Sequence, residues 1–186
     1  RVHVESALLT PGTDIRDALA GTLEPIDRLE VIVDTLLQLA RDTQIDRSPL
    51  DLPGLVRDLD NDWHGTFAAA GRPLRVSIGN DVPAPTASAP AVRQILQVLV
   101  ENAANNGKGV ATIDVRRVPG AVAIEVGDEG SAVLDPRQIF VRRNGRGHGI
   151  GLALARTLAE AEGGRLILER PGPHPRFALL LPVHEA

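Results

Sequence analysis

The sequence predicts an α/β domain preceded by a helical segment, and two observations carry that expectation. Between Asp14 and Arg41 apolar residues recur at steps of three and four, the helical period. From Leu52 onward, helix-period runs and strand-like apolar runs follow one another, separated by glycine and proline turns. The chain's 186 residues, 43% hydrophobic and 24% charged, suffice for one buried core plus an appendage.

The elements follow in order. Val2 to Leu9 reads as the end of one helix, and Thr10-Pro11-Gly12-Thr13 as a turn with Thr13 or Asp14 available as the next N-cap. Ile15, Leu19, Leu23, Ile26, Leu29, Ile32, Val33, Leu36, Leu37 and Leu39 then line one face of a long amphipathic helix, which Pro25 should kink. The two helices make an αα-hairpin over 1–45. Asp46-Arg47-Ser48-Pro49 breaks the pattern, so 46–51 is read as a linker and 52–186 as the α/β domain. Within it the patterning predicts helices near 52–70, 89–106 and 149–162. Strands are expected near 73–79, 110–117, 121–127, 165–169 and 176–182, with Gly71, Gly120 and Gly163-Gly164 at turns. Val82 to Pro90, rich in Pro, Ala and Ser, reads as a loop.

Composition excludes several classes of function. A net charge of −4 offers no basic footprint for nucleic acid. Without cysteine there is no disulfide, thiolate catalysis or cysteine-based zinc site. His3, His64, His148, His174 and His184 include no pair at i, i+4, which disfavours a histidine-bound metal. No run approaches the roughly 20 apolar residues that span a bilayer, and Arg1-Val2-His3-Val4-Glu5 has no signal-peptide profile. The chain as given is expected to be soluble.

Three segments carry chemistry. In Gly145-Arg146-Gly147-His148-Gly149-Ile150-Gly151-Leu152, alternate glycines open a helical run. Glycines let backbone N–H groups approach phosphate oxygens, and the helix N-terminus adds partial positive charge. The pattern also fits a flexible loop before a helix. Upstream, Arg93 to Asn106 forms an apolar helix ending in asparagines, with Asn102 and Asn105 on one face. An amide oxygen is a neutral hard ligand that can join phosphate oxygens and waters around Mg²⁺, although Asn and Gly107 also suit an ordinary helix end. Third, the apolar strand Val122 to Val126 delivers Gly127-Asp128-Glu129-Gly130. Asp128 can accept a hydrogen bond from the exocyclic amine of adenine while Gly130 leaves room for the ring; an Asp-Glu-Gly turn is the plainer alternative.

In this order and spacing the three segments resemble the N box and the first and second glycine boxes of bacterial sensor histidine kinases, over nearly all of 50–186. Gln138-Ile139-Phe140 resembles the F box. The run Leu29 to Arg41 resembles the second helix of the dimerisation and phosphotransfer hairpin. The resemblance implies a two-layer α/β (α+β) sandwich, a mixed sheet with helices on one face, of the GHKL type shared with gyrase, MutL and heat-shock chaperone ATPases. It implies ATP and Mg²⁺ as cofactors, with Asn102 as the Mg²⁺ ligand, Asn105 and Asn106 on the phosphate side, Asp128 as adenine reader and Gly130 beneath the base. Gly147, His148, Gly149, Ile150, Gly151 and Leu152 would form the phosphate loop, and Arg142, Arg143 and Arg146 would clamp phosphates.

The implied activity is transfer of the γ-phosphoryl group to a histidine outside this chain, because His3 lacks the acidic and Arg-Thr-Pro-like residues that follow the family's acceptor. The implied partners are that phosphoacceptor hairpin, a response regulator and a second copy in a full-length homodimer; the implied setting is the cytoplasmic part of a membrane-anchored sensor. Three departures stand out: Val98 where the family has an asparagine and ATP-hydrolysing relatives a glutamate base, Ala132 where a second glycine is usual, and a short lid from Phe140 to Gly147. They also fit a non-catalytic regulatory module of the same fold.

Overall fold

A computed structural model describes residues 48–141 and 150–183. The hairpin expected over 1–45 lies outside the described residues, as do Arg142, Arg143, Arg146, Gly147, His148 and Gly149.

Helix α1 (Leu52–Ala69) starts at Asp51, whose carboxylate accepts from Gly54 N at 3.0 Å and so satisfies one of the first-turn donors. Leu52, Leu55, Val56 and Leu59 repeat at helical spacing and are buried with Phe67. Helix α2 (Ala89–Asn106) has Ser88 as N-cap and a proline in its first turn, and buries Val92, Ile95, Leu96, Leu99, Val100 and Ala103. The Ser88 N–H donates to the buried Glu162 Oε2 at 2.9 Å, which ties the start of α2 to the end of α3 (Ile150–Ala161). Gly163, with φ of 74°, closes α3 in a left-handed cap.

Five strands form one mixed sheet: β2 (Leu74–Ile78), β4 (Ala111–Val118), β5 (Ala121–Asp128), β6 (Arg165–Arg170) and β7 (Arg176–Pro182). Their order is β2-β4-β5-β7-β6; β2 runs parallel to β4 and every other pair is antiparallel. Alternate residues on one face, among them Ile113, Val115, Ile124, Val126, Leu179 and Leu181, join the helices in a single hydrophobic cluster. The expected two-layer sandwich with helices on one face is therefore present, with element ends within two residues of those read from the sequence.

Two short strands had no sequence signal. Ser48–Pro49 (β1) and Thr86–Ala87 (β3) form a two-residue antiparallel pair, and Leu50 N donates to Pro85 O at 2.9 Å. Part of the linker and part of the Pro-rich loop are thus stitched together. Two residues are too few to establish an alternation, and a proline in each neighbourhood points away from strand.

On the face opposite the helices, Glu125 is 2% exposed because two arginines cover it. Its Oε1 pairs with Arg116 and its Oε2 accepts from Arg176 Nη1 at 2.9 Å, while Glu169 meets the same two guanidiniums. The cluster joins β4, β5, β6 and β7. Glu125→Ala should lower unfolding free energy by about 2 kcal/mol, less than the roughly 3–5 kcal/mol of a deeply buried pair, because both arginines retain water and Glu169. Urea denaturation should show an earlier midpoint with an unchanged slope.

Candidate functional site

The carboxyl end of β5, the C-terminal half of α2 and the first turn of α3 meet along one line. Val98 touches that turn: a Cβ built on Gly151 would stand 3.3 Å from Val98 Cγ1. One helical turn later on α2 comes Asn102, partly exposed, its Oδ1 accepting from Asn106 Nδ2 at 3.1 Å. At the helix end, Gly107 N donates to Ala103 O at 3.1 Å, and a Cβ at Gly107 would lie 2.5 Å from Asp128 Cγ. Helix α2 therefore passes the first turn of α3, then carries Asn102, and ends beside Asp128; of the glycine-box motif only Ile150, Gly151 and Leu152 lie among the described residues.

Asp128 is fixed by backbone. Its Oδ1 accepts from Gly130 N at 2.6 Å and from Lys108 N at 3.2 Å. No hydrogen bond among the described residues ends on Oδ2, which leaves that oxygen to accept from a ligand. Gly130 is buried, and a Cβ there would come 2.6 Å from Asp128 Oδ1, so the glycine is required by the carboxylate itself as well as by any ring above it. Glu129 braces the same loop: its N–H donates to Lys108 O at 2.9 Å and its Oε2 accepts from Val110 N at 2.9 Å. On the other side, His174 N donates to Gly130 O and Leu134 N to Pro171 O, both at 2.7 Å, so the turn between β6 and β7 flanks the loop.

Asn105 and Asn106 are exposed at the end of α2. Leu152 is buried in the core rather than turned toward the loop, as its steps of three to Ala155 and then four to Ala159 require. Ile150 and Gly151 open α3. Phe140 sits in a turn anchored on two elements, edge-on to Phe177 with centroids 6.1 Å apart and beneath the Arg156 guanidinium at 5.4 Å. Ala132 takes no left-handed backbone, since His174 is the one non-glycine residue with positive φ among those described; the missing glycine causes no strain there.

The described residues offer a ligand the Asp128 carboxylate and the Asn102 amide. Among the described residues no three acidic or histidine side chains converge to hold a metal ion. A cation here would therefore take most of its ligands from phosphate and water, the habit of Mg²⁺, and the Asn102 amide oxygen is a ligand of the right hardness. Sequence reasoning missed the backbone N–H of Lys108, the brace from Glu129 and the flanking turn at His174. None of these acts through a side-chain motif except Glu129, which a turn explained equally well.

The model of the family described as histidine kinase-, DNA gyrase B- and HSP90-like ATPase matches residues 87–185, more than half of the chain. A probable sensor histidine kinase of Mycobacterium tuberculosis is 28% identical over 92% of this chain and 51% of its own length. The chain thus spans about half the length of that curated relative, and 30% of the alginate biosynthesis sensor protein KinB of Pseudomonas aeruginosa, to which it is 29% identical over 90% of its own residues. Among solved structures, the Acinetobacter baumannii histidine kinase AdeS superposes with a TM-score of 0.75 at 14% identity, covering 98% of this chain and 92% of that one. Full-length ShkA, solved in complex with AMPPNP, superposes with a TM-score of 0.73 at 24% identity, over 95% of this chain and 41% of that one. Among the described residues no helix is long and apolar enough to cross a membrane.

Proposed function

The chain belongs to the histidine kinase-, DNA gyrase B- and HSP90-like ATPase family, and on that premise we propose that it binds Mg²⁺-ATP and presents the γ-phosphoryl group to a histidine on a phosphoacceptor hairpin. The observation that carries this reading is Asp128. Its Oδ1 is committed to the Gly130 and Lys108 amides, which holds the free Oδ2 in a fixed direction at the end of a buried strand. An acceptor fixed in advance loses no entropy on meeting the adenine amine. The AMPPNP in the ShkA structure supports a nucleotide at this fold's site.

Each segment has a separate task in the proposal. Asn102 would hold the cation, whose contribution is to neutralise charge on the phosphates. The N–H groups at the start of α3, with Gly147, Gly149 and Gly151, would receive the phosphate oxygens. Arg142, Arg143 and Arg146 would add paired hydrogen bonds to them. Val98, packed against Gly151, puts a methyl group where ATP-hydrolysing relatives carry a carboxylate base, so no side chain there can take a proton from water. Positioning for an in-line nucleophile is then the main contribution of the domain. The acceptor hairpin, a response regulator and a homodimer of the full-length kinase are the partners this activity requires, and the proposed setting is the cytoplasmic side of a membrane-anchored sensor.

The Val98 contact equally motivates a second reading, a regulatory module of the same fold that holds nucleotide weakly. Mixing the chain with a separate hairpin bearing the phosphoacceptor histidine and γ-labelled ATP separates the two. Acid-labile label should appear on the hairpin, with little release of free phosphate by the chain alone. Label on His3 or His148 would overturn the acceptor assignment, and absence of nucleotide binding at millimolar Mg²⁺-ATP would favour the regulatory module.

A further inference from the structure

Helix α1 ends in a paired cap. Gly71 has φ of 65°, its N–H donates to Ala68 O, and the Arg72 N–H donates to Phe67 O, each at 2.9 Å. The residue after the glycine in such a cap ordinarily lays an apolar side chain back on the last turn. Arg72 does this with its guanidinium, 5.2 Å from the centroid of the Phe67 ring.

Held there, the guanidinium reaches across to a distant part of the chain. Its Nη1 donates to Ala103 O and Ala104 O, both at 3.0 Å, and its Nε donates to Gly109 O at 2.9 Å. Ala103 and Ala104 belong to the last turn of α2, whose carbonyls carry the negative end of the helix dipole; Ala103 O accepts from Gly107 N as well. Gly109 belongs to the loop whose Lys108 N–H holds Asp128 Oδ1. The next residue, Pro73, accepts from Ala111 N at 3.0 Å. Backbone from 103 to 111 is therefore pinned from behind by residues 72 and 73 and from the front by Asp128 and Glu129.

The remaining terminal nitrogen, Nη2, is buried with no partner among the described residues. An unpaired buried donor costs stability, so a lysine or an apolar side chain over Phe67 would serve the cap of α1 at least as well. What only arginine supplies is a planar fork that can grasp carbonyls on both sides of Gly107 at once.

We propose that Arg72 is a positioning residue of the nucleotide site: it fixes the α2 terminus and the 107–110 loop, and through the Lys108 N–H it sets the direction of the Asp128 carboxylate. The proposal rests on the reading of Asp128 as the adenine acceptor. Arg72 touches neither ligand nor phosphate in this scheme.

Arg72→Lys keeps a charge and an aliphatic stem over Phe67 but cannot span the three carbonyls. Circular dichroism should show a folded variant, while its affinity for AMPPNP falls roughly 3- to 30-fold, as for other residues that act through a packed network, and its preference for adenine over guanine narrows. In Arg72→Ala the same loss should be partly reversed by millimolar methylguanidinium, which a plain loss of stability would not be. Without ligand, the Lys108 and Gly130 amide resonances should move in both variants. Unchanged affinity and base preference in folded Arg72→Lys, or stationary Lys108 and Gly130 resonances, overturns the proposal. If the wild-type chain binds no adenine nucleotide, the reading of the site fails instead, and the ligand-free resonances still decide the role of Arg72. Should Arg72→Lys not fold, the wild-type Arg72 Nε–H resonance decides: it should shift on AMPPNP titration, and a stationary signal counts against the proposal.

Discussion

Asp128→Asn should turn the base preference of the site from adenine toward guanine, and Asp128→Ala should remove most adenine-nucleotide binding. An asparagine has one oxygen and one NH₂ group. The Gly130 and Lys108 amides, 2.6 and 3.2 Å from the present Oδ1, both need an acceptor, so the oxygen is drawn to them. The NH₂ group is then left facing the base. Adenine offers a donor at its exocyclic amine and guanine an acceptor at the equivalent oxygen, so the substitution mismatches the first and matches the second. Alanine removes both functions at once, the contact to the base and the anchor of the loop. Losing a charge-assisted bond of about 1.5–3 kcal/mol and releasing the loop should weaken AMPPNP binding roughly 30- to 1,000-fold. Competition titrations with adenine and guanine nucleotides on both variants give the answer. An unchanged preference in Asp128→Asn would detach this residue from base recognition.

The sequence reveals the helices of this domain better than the wiring between them. Helix α2, expected near 89–106, lies at Ala89–Asn106, because its apolar residues recur at steps of three and four and Gly107 suits a helix end. Strand pairing is another matter. Nothing local in Leu74–Ile78 says that it lies parallel to β4, or that Arg165–Arg170 takes the sheet edge beyond β7; the implied mixed sheet came from the resemblance, since alternation along a strand tells which face is buried and not which strand lies beside it.

The site divides in the same way. Asp128, Gly130 and Asn102 are proposed site residues that the sequence already singles out, because side-chain chemistry and glycine spacing mark them. The Lys108 N–H was not, since a backbone donor looks alike in every residue. Arg72 was hidden for a further reason: its three acceptors lie 31 to 37 residues away and are carbonyls of alanine and glycine. The glycine loop and the arginines of the lid, the segments most distinctive in the sequence, lie mainly outside the described residues, and their roles remain proposals.

The metal prediction is the sharpest test of α2. Asn102→Ala should abolish the gain in nucleotide affinity that the proposal expects from Mg²⁺ while leaving the fold intact. Alanine has the highest helix propensity, and Asn102 is only partly buried on a helix whose core contacts come from Leu99, Val100 and Ala103. The one side-chain bond it gives up, with Asn106 at 3.1 Å, is on the surface. Thermal unfolding should therefore stay within a few degrees of wild type, about what a 1 kcal/mol change produces. Binding is different, because Mg²⁺ takes few protein ligands and the described residues converge no acidic cluster that could substitute. The loss in Mg²⁺-dependent affinity should exceed the roughly 10- to 100-fold seen when a residue behind a metal ligand is removed. Asn106→Ala, which removes the partner of the Asn102 amide, should fall within that smaller range. Calorimetric titration with AMPPNP, with and without Mg²⁺, measures both. If Asn102→Ala keeps the full Mg²⁺ gain, the amide oxygen is not a ligand and the cation is held by phosphate and water alone; if Asn106→Ala loses as much as Asn102→Ala, the asparagine pair acts as one unit at the metal.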